Sequence, residues 1–153
     1  MSDSLQTLVA SQVRVTAKAV VINQDGNVLL LRRSKTDTRR PLQWDFPGGL
    51  VEDGEEFLMA VSREIAEETG IRVQPDKLYL VSTDTASLDG ETAACWLFFM
   101  CQTTQTSVRL SYEHDDYTWV SLEQAIRIHQ YERQRNVLIH IRDQHLLPLK
   151  VAK

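Results

Sequence analysis

Arg63, Glu64, Glu67 and Glu68 lie close together in the stretch from Gly49 to Ile71. Spacings of three and four residues bring side chains together on a helix surface, so the three glutamates crowd onto one arc. Carboxylates held this close repel one another unless a cation sits among them. Magnesium suits the arrangement, because it takes oxygen ligands, keeps several waters and is usually held by a few carboxylates together with substrate phosphates. A divalent ion across phosphate oxygens polarises the phosphorus and makes a bound water a usable nucleophile near neutral pH. A spare carboxylate can then take the proton. The chemistry implied is hydrolysis of a polyphosphate.

The elements that must position these residues can be read from periodicity and turn chemistry. A helix is expected from about Glu55 to Gly70, the glycine serving as its C-terminal cap. Leu58, Val61 and Ile65 share a face that should pack on a sheet, leaving the acidic residues on the neighbouring arc. Phe46-Pro47-Gly48-Gly49 leads in, and glycines there allow backbone carbonyls and phosphates to approach closely. Upstream, Val13 to Ile22 and Val28 to Arg32 read as strands joined by a turn over Asn23 to Asn27, followed by an exposed loop over residues 34–41. Downstream, strands are expected at Leu78 to Thr83, Ala94 to Thr103 (a central strand) and Tyr117 to Val120, with a turn at Ser87 to Gly90. Ser121-Leu122-Glu123-Gln124 matches a capping box opening a helix, and a last helix spans about Arg133 to His145. No internal repeat or linker interrupts the chain. One domain over residues 1–153 is expected, with residues 1–12 as a flexible lead-in.

The net charge of −4 and pI near 5.5 give the whole chain no electrostatic footprint for long nucleic acid or an anionic membrane. Arg32, Arg33, Lys35, Arg39 and Arg40 nevertheless form a local basic cluster, either a solvated loop or a phosphate contact. The sequence has no apolar run of about 18 residues and no signal-peptide pattern at its start. Cys95 and Cys101 fall too far apart on one strand to bond to each other, so the expected setting is the reducing cytoplasm.

An acidic helix by itself is more often a solvated face than a metal site. Here the glutamates belong to a longer pattern: Gly49, Glu55, Arg63, Glu64, Ile65, Glu67, Glu68, Gly70 and Ile71 fill every specified position of the Nudix box. The chain resembles the Nudix hydrolases, and in size and layout their small MutT-like members. That resemblance implies an α+β fold, an α/β/α sandwich around a mixed β-sheet. It implies a Mg2+-dependent pyrophosphohydrolase (Mn2+ being the alternative ion) that cleaves a nucleoside triphosphate or another nucleoside diphosphate-linked compound by water attack on phosphorus.

Carried over by position, Glu64, Glu67 and Glu68 would be metal ligands and the Gly48 carbonyl a backbone ligand. Glu64 is also a candidate base. Arg63, counted with the catalytic cluster, would with Glu55 hold the box together. Glu113, in the run EHDDYTW, would be a further metal ligand, with Asp115 and Asp116 as rivals. Arg32 and Arg33 are candidate substrate contacts. A base could stack on Trp44, Phe46, Trp96 or Tyr117, and Asn136 on the last helix could read a purine edge. Pro75 lies too close to the box for the ADP-ribose pyrophosphatase marker, and the diadenosine polyphosphate and NADH-type markers are absent, so the nucleotide stays open. His114, His129, His140 and His145 carry no functional expectation. The partner expected is a small nucleotide, with no membrane and no long nucleic acid, and a homodimer is possible. A catalytically silent nucleotide sensor is the alternative, disfavoured by the intact Glu64, Glu67 and Glu68.

Overall fold

The first strand, β1 (Gln12–Ile22), sends alternate side chains to opposite faces, and each face meets a different core. Ala17, Ala19 and Val21 join Val61 and Ile65 of helix α1 (Phe57–Thr69), while Val20 and Ile22 join Val137, Leu138 and Ile141 of helix α3 (Glu132–Asp143). Two apolar clusters on either side of one sheet make an α/β/α sandwich. The computed structural model describes residues 10–148. Residues 1–9 of the expected lead-in lie outside the described residues, and Gln12 already belongs to β1.

The remaining strands are β2 (Val28–Arg33), β3 (Trp44–Asp45), β4 (Gly48–Leu50), β5 (Tyr79–Ser87), β6 (Thr92–Gln102) and β7 (His114–Val120). The main path through the sheet is β3-β2-β1-β6-β5, with β4 added on β1 and β7 on β2. β1 and β6 run parallel along their whole length, from Gln12 opposite Thr92 to Ile22 opposite Gln102. The other pairings are antiparallel, so the sheet is mixed. β1 and β2 pair only beside their turn, at Ile22 and Val28. Beyond that point they part, and β4 takes the edge of β1, with Lys18 opposite Gly48 and Ala17 opposite Gly49. This parting places the glycine turn at the middle of the sheet.

Helix α1 starts two residues later than the sequence suggests and ends as expected at Gly70, whose φ of 75° is left-handed and whose amide closes on the Ala66 carbonyl. Val61 and Ile65 are buried in the core and Leu58 packs partly against it. Ser121 caps α2 (Leu122–Ile128) by accepting from the Gln124 amide at 3.2 Å. β5 and β7 are longer than their sequence signals, because pairing to β6 and β2 carries the extended backbone into polar residues. No helix among the described residues is long and apolar enough to cross a membrane.

Candidate active site

The site is built on Gly48 and Gly49. At Gly48 φ is +133°, and a Cβ there would lie 2.2 Å from the Ala17 carbonyl oxygen, so no other residue fits. A Cβ on Gly49 would meet Glu64 Oε1 at 2.9 Å. The two glycines thus let β4 lie directly between β1 and the acidic arc of α1.

Glu68 is buried at 4% exposure, deeper than a solvent-facing ligand, and its Oε2 accepts from the Gly48 amide at 3.0 Å. Burial pushes this carboxyl up to about 8, against the opposing pull of Lys18 and the Gly48 amide. Glu64 is half-buried and also raised, by burial first, with Arg63 working the other way. Glu67 is exposed. Arg63 spans the cluster: Nε and Nη2 donate to Glu55 at 2.8 and 3.1 Å, and Nη1 donates to Glu64 at 3.1 Å and Glu67 at 3.2 Å. The hydrogen bonds to Glu55 hold the Arg63 guanidinium firmly protonated. Arg63 therefore orients the acids.

These groups border a cavity of about 1010 Å³. One wall carries Lys18, Gly48, Gly49, Glu64 and Glu68, and Glu113 sits at its edge. The end of β2 and the loop that follows it add Arg33, Arg39 and Arg40 to the lining. Asp37 braces that loop by accepting from the Arg39 and Arg40 amides, both at 2.9 Å, and by pairing with Arg33. Asp115 is tied to Arg32 at 2.7 Å, and Asp116 lies 3.7 Å from the same guanidinium.

The structure brings Glu64, Glu68, Gly48, Glu113 and Arg33 to one cavity. It does not bring Arg32, Trp44 or Asn136 there, and Arg63 and Glu67 of the acidic cluster also lie outside the lining, paired with each other. Arg32 turns to Asp115, Trp44 packs against the core beneath α2 and α3, and Asn136 is exposed on α3. Of the other aromatics considered for stacking, Phe46 is core and Tyr117 lies outside the lining, whereas Trp96 lines the cavity with the Arg133 guanidinium 3.7 Å from its ring centre.

Sequence reasoning missed a buried network behind the glycine turn. Asp45 has no exposed surface, and its carboxylate accepts from Lys18 at 3.0 Å, Arg33 at 2.6 Å and Gln134 at 2.6 Å, with Arg40 at 3.8 Å. Burial would raise its pKa, but Lys18, Arg40, Gln134 and Arg33 together hold it well below the ordinary carboxylate range. The signal available in the sequence was Lys18, a cation in the middle of an otherwise apolar stretch of strand.

Among the described residues no three histidine, cysteine or acidic side chains converge tightly enough to enclose a metal by themselves. The donor groups at the cavity are the Glu64 and Glu68 carboxylates, both raised by burial, with Glu113 and the Gly48 backbone, whose carbonyl also accepts from Lys18 at 2.9 Å. That all-oxygen, half-open set fits a hard divalent ion that completes its shell with water and phosphate.

A mixed sheet between helices carries a glycine turn backed by an acidic helix beside a partly basic cavity, and similarity to known proteins indicates a hydrolase acting on pyrophosphate bonds. The chain belongs to the Nudix family, whose domain matches residues 12–141 and whose members generally use a divalent metal. It is 34% identical over 111 residues to a MutT-like protein of Streptomyces ambofaciens, a match spanning 72% of this chain and 66% of that protein. Nucleoside triphosphatase NudI of Escherichia coli is 32% identical over 114 residues, covering 69% of this chain and 81% of the relative. The MutT protein of Methanosarcina mazei Go1 has a similar structure, with a TM-score of 0.76 at 28% identity over 90% of this chain and 98% of that one.

Proposed function

We propose that the protein is a Mg2+-dependent nucleoside triphosphate pyrophosphohydrolase, with Mn2+ as the alternative ion. The observation that carries this reading is one cavity lined both by acidic and backbone oxygen donors (Glu64, Glu68, Gly48) and by guanidinium groups (Arg33, Arg39, Arg40). A polyphosphate in that cavity would meet guanidinium groups on its free oxygens and the acidic groups at the bond to be cut. The nucleoside triphosphatase activity in the name of the Escherichia coli relative supports a triphosphate substrate.

When bound, the metal supplies charge neutralisation and a water of lowered pKa. The chain's own residues do the rest. Glu64, Glu68 and the Gly48 carbonyl would hold the ion, with Glu67 and Glu113 as further ligands. Glu64, half-buried and hydrogen-bonded by Arg63, would take the water's proton. Arg33 orients the phosphates, its guanidinium being fixed by Asp37 and Asp45. The whole sequence acts as one domain, in the cytoplasm, on a small nucleotide.

The test is a panel of canonical and 8-oxo nucleoside triphosphates, ADP-ribose, nucleotide sugars and dinucleoside polyphosphates, each with Mg2+, with Mn2+ and with EDTA. A triphosphate hydrolysed well above the rest, with activity abolished by EDTA and by Glu68→Gln, is expected. Preference for ADP-ribose or a nucleotide sugar would overturn the triphosphate assignment, and activity in EDTA would overturn the metal.

A further inference from the structure

Lys18 is a buried cation for which the mechanism has no use. Its ammonium group has three protons and three acceptors: Asp45 Oδ2 at 3.0 Å, the Phe46 carbonyl at 3.1 Å and the Gly48 carbonyl at 2.9 Å. The residue is only 7% exposed, so this geometry is fixed. Gly48 stands between two charges, its carbonyl accepting from Lys18 and its amide donating to Glu68. The carbonyl assigned to the metal thus already accepts from the Lys18 ammonium group, on the same residue whose amide donates to the buried Glu68.

A fixed charge in that position has two effects. It neutralises the acidic wall when no other cation is present, which lets the glycine turn keep its shape. It also repels a second cation arriving at the same carbonyl, more strongly in this partly desolvated setting than in water. A divalent ion that arrives with phosphate oxygens brings compensating negative charge, and an ion arriving alone does not.

We propose that Lys18 is the resident counter-ion of this site, a residue whose charge at the Gly48 carbonyl holds off a lone divalent ion and so makes metal uptake depend on the anionic substrate. The inference rests on the metal site described under the proposed function. Lys18 touches neither reacting atoms nor, in this assignment, the metal.

The experiment is a Mn2+ titration of the full-length protein, followed by the electron paramagnetic resonance signal of free Mn2+. Wild type, Lys18→Gln and Lys18→Arg are compared, each alone and with methylenediphosphonate, a non-hydrolysable pyrophosphate mimic. Wild type alone should bind weakly, and the diphosphonate should tighten binding by about tenfold or more. Lys18→Gln, which keeps a hydrogen-bond donor but no charge, should bind Mn2+ alone about tenfold more tightly than wild type and narrow the gap between the two conditions. Lys18→Arg should stay with wild type. Unchanged or weaker Mn2+ affinity in folded Lys18→Gln would overturn the role of Lys18. Equal affinity of wild type with and without diphosphonate would do the same, and that comparison stands even where the variant does not fold. If Mn2+ binds under none of these conditions, the metal site itself is wrong and the inference falls with it.

Discussion

Gly48 and Glu68 hold each other: the glycine amide donates to the buried carboxylate at 3.0 Å, across the junction between β4 and α1. One bond therefore joins the turn that offers a backbone carbonyl to the helix that offers the acids.

Glu68→Gln keeps an oxygen able to accept from that amide, so the fold should survive with an unchanged or slightly raised melting temperature. Activity should drop by about 100-fold or more, at least the loss expected from disturbing a residue that supports a metal ligand. Circular dichroism beside turnover decides it, and loss of the folded signal would refute the prediction.

The two glycines should fail in different ways. Alanine at Gly48 meets the Ala17 carbonyl at 2.2 Å with φ at +133°, a backbone clash that side chains cannot relieve. Chemical denaturation should show a loss of roughly 3 kcal/mol or more. Alanine at Gly49 meets only the mobile end of Glu64 at 2.9 Å. Its stability should stay within about 1 kcal/mol of wild type while kcat falls by about tenfold or more, because a displaced catalytic group is costly.

Asp45→Asn removes the anion on which Lys18 and Arg33 depend. Breaking a buried pair in this way should cost about 3–5 kcal/mol in urea unfolding. Because the folded-state pKa of Asp45 is depressed, its contribution is complete at neutral pH. It is lost as pH falls below the ordinary carboxylate range toward the folded value.

His129 is buried edge-on against Phe46, with ring centroids 5.2 Å apart, and burial pushes its pKa down to about 4. The unfolded chain therefore binds a proton between about pH 6.5 and 4 that the folded chain refuses, so this residue makes stability decline as pH falls through that window. His129→Phe should flatten the decline in urea-unfolding free energy between pH 7 and 5. An unchanged slope would show that His129 is not its source.

Arg40 stacks on the Tyr131 ring at 4.0 Å and lines the cavity, and among the described residues its Nη1 has no hydrogen-bond partner. Arg40→Ala should raise KM for the preferred triphosphate by about tenfold while kcat stays within about twofold, the pattern of lost ground-state binding. A fall in kcat at constant KM would place Arg40 in the chemistry instead.

Local order in the chain made much of this site legible. The helix, its Gly70 cap, the acidic arc and the glycine turn lie within one short stretch, where spacing translates directly into geometry. Alternation in β1 likewise announced a strand with two faces. What stayed hidden was assembled across distance. Lys18, Asp45 and Gln134 come from β1, β3 and α3, and no periodicity links them. The same is true of the cavity's basic wall: a run of arginines does not reveal that Arg33 turns inward while Arg32 pairs with Asp115. Asn136 was the residue on α3 suggested for base contact, yet Gln134 is the α3 residue that lines the cavity.

The parallel ladder between β1 and β6 has a consequence for how the chain is made. β1 is synthesised before β6, and its long partner edge stays open until Gln102 has been made. Pairing of this sequence separation is slow to form. A nascent chain or expression fragment ending before Thr92 would display the inner edge of β1, apolar from Ala19 to Ile22, as a template for other chains. Truncations meant to isolate the acidic helix with its glycine turn should therefore aggregate, whereas fragments that run through β6 to the end of α3, which covers the second apolar face, should not.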